Sequence, residues 1–93
     1  MSRNELTKYW VVLQDARDTD SRGNFLVLHK FAGPFSDKSQ AMQVLGNYNG
    51  ELITKKLDRN LDDETRRVLR GLLYVLMSDE QIAEGVRRGI RFD

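Results

Sequence analysis

His29 is the single histidine of the chain, and it lies in an apolar run between Leu28 and Lys30. General-base catalysis asks for an imidazole with an orienting partner, a nucleophile and a cleft. The sequence around His29 supplies none of these, so it reads as a structural or surface histidine. There is no cysteine to act as a thiolate nucleophile, a soft metal ligand or half of a disulfide. Asp15, Asp18 and Asp20 followed by Gly23 briefly suggest a calcium loop, because Asp18, Asp20 and Gly23 fall at its first, third and sixth positions. The match then fails: Arg22 stands at the third ligand position and His29 where the bidentate glutamate belongs. The ordinary reading is a solvated hairpin tip. The seven glycines are scattered, so no phosphate-cradling loop exists. Gly85 and Gly89 are spaced as Gly-x-x-x-Gly, which outside a membrane means close packing or a frayed helix end. No catalytic residue, metal or cofactor is expected.

Arginine is the more informative residue type. Fifteen basic and fourteen acidic side chains leave a formal charge of +1, which gives no global field favouring nucleic acid. Ten of the fifteen cations are arginine, the side chain suited to bidentate contact with carboxylate or phosphate. Arg66, Arg67 and Arg70 form one triplet and Arg87, Arg88 and Arg91 another, with Lys55, Lys56 and Arg59 as a further cluster. Part of this charge is explained by pairing along helices, since Asp62 precedes Arg66, Asp63 precedes Arg67 and Glu84 precedes Arg88, each by four positions. Arg70, Arg87 and Arg91 have no acid at that spacing. These nine cations are the candidate contact residues, for an acidic protein surface or for phosphate.

The elements that must carry them are read from hydrophobic pattern. Thr7 to Gln14 is β-branched and aromatic with apolar side chains on both faces, which predicts a strand central to a sheet. Phe25 to Phe31 predicts a second strand, joined to the first by the polar stretch Asp15 to Asn24, and Gly33-Pro34 ends it. Ser36 is placed to cap a helix whose buried stripe is Ala41, Val44, Leu45 and Tyr48, and Asn47 to Gly50 terminates that helix. Glu51 to Leu57 predicts a weak edge strand protected by Lys55 and Lys56. A second helix starts at Asn60 to Asp63 with acids in its first turn, and its stripe Val68, Leu69, Leu72, Leu73, Leu76 runs through to Met77. Its apolar second half serves as the core helix or as a homodimer interface. Ser78 and Gln81 form a capping box, so a third helix begins there. Tyr9, Trp10, Phe25, Phe31 and Phe35 are assigned chiefly to the core, with stacking on bases as the alternative.

These elements predict one α+β domain over residues 1–93, a three-stranded, mainly antiparallel sheet with helices on one face, in the order ββαβαα. The opening Met-Ser-Arg-Asn-Glu has no leader character and the longest apolar stretch, Leu72 to Met77, is too short for a bilayer, so the expected compartment is the cytoplasm. In size, lack of cysteine and charge density the chain is similar to phage and mobile-element accessory proteins, among them inhibitors of host defence complexes of the anti-CRISPR or anti-restriction type. The expected function is non-enzymatic: regulation or inhibition by stoichiometric contact with a larger protein or nucleoprotein complex. The alternative is a nucleic-acid-binding domain that contacts phosphates through an arginine-rich helical face.

Overall fold

The computed structural model describes residues 7–93, so the leader reading of the first residues lies outside the described ones. The chain is an α+β unit. Strands β1 (Tyr9–Asp15) and β2 (Val27–Phe35) are joined through a short 3-10 turn at Ala16–Asp18. Helices α1 (Lys38–Lys56) and α2 (Asp63–Arg70) follow, then β3 (Leu72–Ser78), α3 (Asp79–Arg87) and the two-residue β4 (Arg91–Phe92). The sheet has four strands in the order β3-β1-β2-β4; β1 is antiparallel to both neighbours and β4 is parallel to β2. The expected three-stranded antiparallel sheet and the order ββαβαα are corrected accordingly.

β1 occupies the centre because both of its faces are apolar. Val11 and Val12 point to opposite faces and each is 0% exposed. Full burial of such a side chain contributes about 1.5–3 kcal/mol. Cross-strand partners identify what covers each face. Leu13 stands opposite His29 and Tyr74, and on that side the rings of Phe31 and Tyr74 meet Tyr48 of α1. Val12 stands opposite Lys30 and Val75 on the other side. Leu28 shares that second face with Phe92, whose ring packs against Gly85 of α3. Helices therefore cover both faces, not one. The chain crosses β1 from β2 to β3 through α1 and α2, then returns to β4 through α3. Right-handed connections that run in opposite directions land on opposite faces.

Two segments change type relative to the pattern reading. α1 continues through Asn47 and Gly50 to Lys56, so Glu51 to Leu57 is helical apart from the C-cap Leu57. The buried stripe extends to Leu52, which is 6% exposed, and packing of that stripe outweighs a glycine penalty of about 1 kcal/mol. The second helix, in contrast, stops at Arg70 with Gly71 as its C-cap, and Leu72 to Ser78 becomes β3. A short apolar run has the composition of a buried strand as readily as of a buried helix, and pairing with all of β1 decides between them. Without a buried helix there, the homodimer reading loses its original basis.

The local signals divide in the same way. Asp37, not Ser36, caps α1 by accepting from the Ser39 N–H at 2.9 Å, while the Ser36 hydroxyl accepts from Lys8 Nζ at 2.7 Å. The capping box of Ser78 and Gln81 is present at the start of α3. Gly33 and Pro34 do not end β2, which runs on to Phe35 through register shifts. Gly33 takes φ +129 there, and a Cβ on it would lie 2.8 Å from the Tyr9 carbonyl oxygen.

Both sheet edges are guarded. Asn49 of α1 reaches the outer edge of β3, accepting from the Tyr74 N–H at 3.1 Å and donating to the Tyr74 carbonyl at 3.0 Å. Lys56 Nζ donates to the Leu72 carbonyl at 3.2 Å. On the other side β4 pairs with the start of β2, and bulges and a proline follow. Open backbone groups that would recruit a foreign strand are thus reduced.

Candidate functional site

The nine candidate cations separate into two groups of different character. Arg87 and Arg88 both bond Glu84: Arg87 Nε lies 3.1 Å from Oε2, with Nη2 on the same oxygen, and Arg88 Nε lies 3.2 Å from Oε1. The two guanidiniums, Arg87 first, hold the Glu84 carboxyl below its ordinary range. Arg91 pairs with Asp93 at 3.2 Å. The three arginines after Gly85 are therefore answered locally, and the spacing of four predicted only one of these pairs.

At the other end of the series the predicted pairs of Asp62 with Arg66 and Asp63 with Arg67 are absent among the described residues. Asp62 instead caps α2, accepting from the Thr65 N–H at 2.7 Å, and bonding to Thr65 keeps its carboxyl below the usual range. Arg66 is half-buried, donates through Nη2 to the Leu61 carbonyl at 3.2 Å, and leaves its buried Nε without a partner. Lys56 is held by Leu72 as described. Among the described residues Lys55, Arg59, Arg67 and Arg70 are exposed and have no ion-pair partner.

These four are spread over the end of α1, the connection after it and α2, and Lys55, two residues from both Ile53 and Leu57, projects from the opposite side of α1 to those two apolar side chains, which fall in the segment expected to be a strand. Ile53 is 56% exposed and Leu57 is 74% exposed. Residues 53–70 carry six cations and four carboxylates, so this stretch holds +2 in a chain whose total is +1. The sequence signal for Ile53 and Leu57 was weak but real: once the stripe through Ala41, Tyr48 and Leu52 is followed as one helix, both fall off its buried side. The two arginine triplets do not join into one ridge. α2 packs with α1, whereas α3 covers the opposite face of the sheet.

The remaining chemical candidates are occupied by structure. His29 Nε2 lies 3.1 Å from Asp18 Oδ2, and Nδ1 lies 3.8 Å from Asp93 Oδ2, which ties the hairpin connection to the chain beyond β4. Asp20 Oδ1 accepts from the N–H groups of Arg22 and Asn24, so this carboxylate organises its own turn. Among the described residues no group of three or more histidine, aspartate or glutamate side chains is placed to hold a metal ion. Trp10 donates from Nε1 to Asp79 at 3.0 Å and carries the Lys30 ammonium 4.7 Å from its ring centroid. Gly85 is a close-packing glycine, since a Cβ there would lie 3.0 Å from the Phe92 ring. A cleft of about 460 Å³ beside Thr7, Tyr9, Lys38 and Ser78 has Ser78 and Gln81 committed to capping and Thr7 bonded to Glu80.

No family model, no curated protein and no solved structure matches this chain. No helix among the described residues is long and apolar enough to cross a membrane.

Proposed function

We propose that the chain acts without catalysis, as a regulatory or inhibitory protein that binds stoichiometrically to a larger cytoplasmic protein or nucleoprotein complex. The observation that carries this reading is the region of α1 and α2 where Ile53 and Leu57 are exposed on one side of α1 and Lys55, Arg59, Arg67 and Arg70 are exposed without an ion-pair partner among the described residues. Protein interfaces combine an apolar centre with a polar rim in which arginine is enriched. The partner surface that complements this region is acidic with apolar residues at its middle. Docking through side chains also suits a sheet whose edges are guarded against strand addition. Inhibition of a host defence complex by a phage or mobile-element protein is the setting in which so small a contact domain fits.

The same four unpaired cations support a second reading, a nucleic-acid-binding domain that grips phosphate. The exposed Ile53 and Leu57 weigh against it, because phosphate contact gains nothing from apolar neighbours. Affinity capture from a host extract, run with the wild type and with the exposed-site double variant Ile53→Glu, Leu57→Glu, tests the first reading. One macromolecule recovered one-to-one by the wild type and lost by the variant supports it. Equal recovery by both, or turnover of a small molecule with no macromolecule bound, overturns it. A salt series on short duplex and single strands addresses the second, since phosphate binding must weaken along the counterion-release slope.

A further inference from the structure

α1 has two apolar faces, and the sheet covers one of them. Ala41, Tyr48 and Leu52 turn towards the sheet, and Ala41 and Leu52 are buried there. On the other side Met42, 54% exposed, lines up with the exposed Ile53 and Leu57. At 3.6 residues per turn Met42, Gly46, Gly50, Ile53 and Leu57 fall within about 80° of one another, and the centre of that stripe is about 130° from the centre of the buried one. A Cβ added to Gly46 or Gly50 would meet nothing within 4 Å, so neither glycine serves the packing of its own chain.

The exposed stripe is free of charge. Between Ser39 and Thr54 the only charged side chain is Glu51, which projects away from the stripe, in a chain where 31% of residues are charged. The cores of protein interfaces are depleted of charge in the same way. Spacing along the helix selects the occupant. Met42 and Leu57 share a midpoint between Asn49 and Gly50, and so do Gly46 and Ile53. An antiparallel copy of the helix, related by a two-fold axis at that point, sets each Met42 against a Leu57 and each Ile53 against the open space at a Gly46. Large side chains meet at the ends and a large one meets a small one nearer the axis, which is the self-complementarity that an isologous contact requires. An uncharged face also presents a second copy with no like charge to bury.

We propose that a second copy of this chain covers the outer face of α1, forming a two-fold homodimer in which the two helices run antiparallel. From Met42 to Leu57 the stripe is about 22 Å long at 1.5 Å per residue. Two helices in contact over that length bury on the order of 1,000 Å² in total, the lower end of specific interfaces, so the dimer is weak and depends on concentration. The proposed contact with a larger partner also uses Ile53 and Leu57, so the partner and the second copy compete for one surface. Dimerisation itself rests on no such partner.

Sedimentation equilibrium of the full chain, from low micromolar to near-millimolar concentration, should show the mass rising from one copy to two. Ile53→Glu should weaken this association about a hundredfold. Gly46→Leu fills the space that receives Ile53 but meets nothing in its own chain, so it should weaken the dimer about tenfold and leave the circular dichroism of the monomer unchanged. Val86→Glu, at an equally exposed apolar position on α3, should leave the association as it is. The chain has no cysteine, so oxidation reads the register: a mixture of Met42→Cys and Leu57→Cys chains should cross-link faster than either alone. A single mass at every concentration, an association that survives Ile53→Glu and Gly46→Leu, an equal loss with Val86→Glu, or cross-linking no faster in the mixture overturns the assignment. If the free chain stays monomeric while a macromolecule is captured through Ile53 and Leu57, the dimer falls and the partner-binding reading stands. If the dimer forms and no macromolecule is captured, the dimer stands and the partner-binding reading falls.

Discussion

The two arginine clusters have similar composition and opposite electrostatic standing. Beyond Gly85 a single carboxylate, Glu84, answers Arg87 and Arg88, and Asp93 answers Arg91. On α2 the nearby acids are engaged otherwise or unpaired: Asp62 caps the helix, and Asp63 and Glu64 sit at its positive end. Arg67 and Arg70 are left facing solvent. The lesson is that a count of cations does not locate a binding surface, because an acid that serves the backbone is unavailable to a neighbouring guanidinium. Exposed pairs of the α3 kind contribute little to stability, but they remove charge from the surface that a partner meets.

Charge reversal is the strongest way to break this comparison. Replacing Arg59, Arg67 and Arg70 by glutamate should lower partner affinity about a hundredfold, whereas reversing Arg87, Arg88 and Arg91 should change it little, as measured by calorimetry on the captured complex. An equal loss from both triplets would show that the α3 cluster is also a contact. Asn49→Ala comes next, because it strips the edge of β3 beside the proposed surface and leaves the Tyr74 N–H and carbonyl without their partner. Chemical denaturation should show a loss of about 1–3 kcal/mol.

Two glycine substitutions sharpen the contrast between α1 and α3. Gly85→Ala places a methyl group against the Phe92 ring and should destabilise by about 1–3 kcal/mol, with the amides of β4 losing exchange protection first. Gly50→Ala on α1 meets nothing within 4 Å and should stabilise by about 0.5–1 kcal/mol in the same denaturation experiment.

Acid narrows the difference between the clusters. The Glu84 carboxyl is held below its ordinary 4.5 by Arg87 and Arg88, so its contribution is complete above that value and is lost as the pH falls through the lowered one. Asp15 behaves alike: held below 3.8, chiefly by its hydrogen bond to Arg17, it supports the turn above that value and releases it in stronger acid. Guanidinium relaxation measured by NMR from neutral pH downward should show Arg87 and Arg17 becoming mobile in acid, while Arg67, already unpaired, changes least.

Much of the fold was legible in short-range chemistry. β1 follows from β-branched and aromatic residues with two apolar faces, the start of α2 from its acids, and the start of α3 from Ser78 and Gln81. Each depends on residues within a turn or a single strand. The candidate site was half legible: all four unpaired cations were singled out, but Ile53 and Leu57 were hidden by the strand assignment to Glu51 to Leu57. Asn49 was read as a helix terminator, and nothing local indicates that its amide would serve the edge of β3.

By itself, the sequence determined the α+β class, the acids that open α2, the capping box that starts α3, and the residues able to bear charge. Tertiary structure alone decided that Leu72 to Ser78 is a strand, that helices cover both faces of the sheet, and which of the cations stay without an ion-pair partner among the described residues. The reason is the range of the forces involved. Caps act over a few residues, whereas an apolar run becomes strand or helix according to what lies beside it, and here that neighbour is β1, far away along the chain.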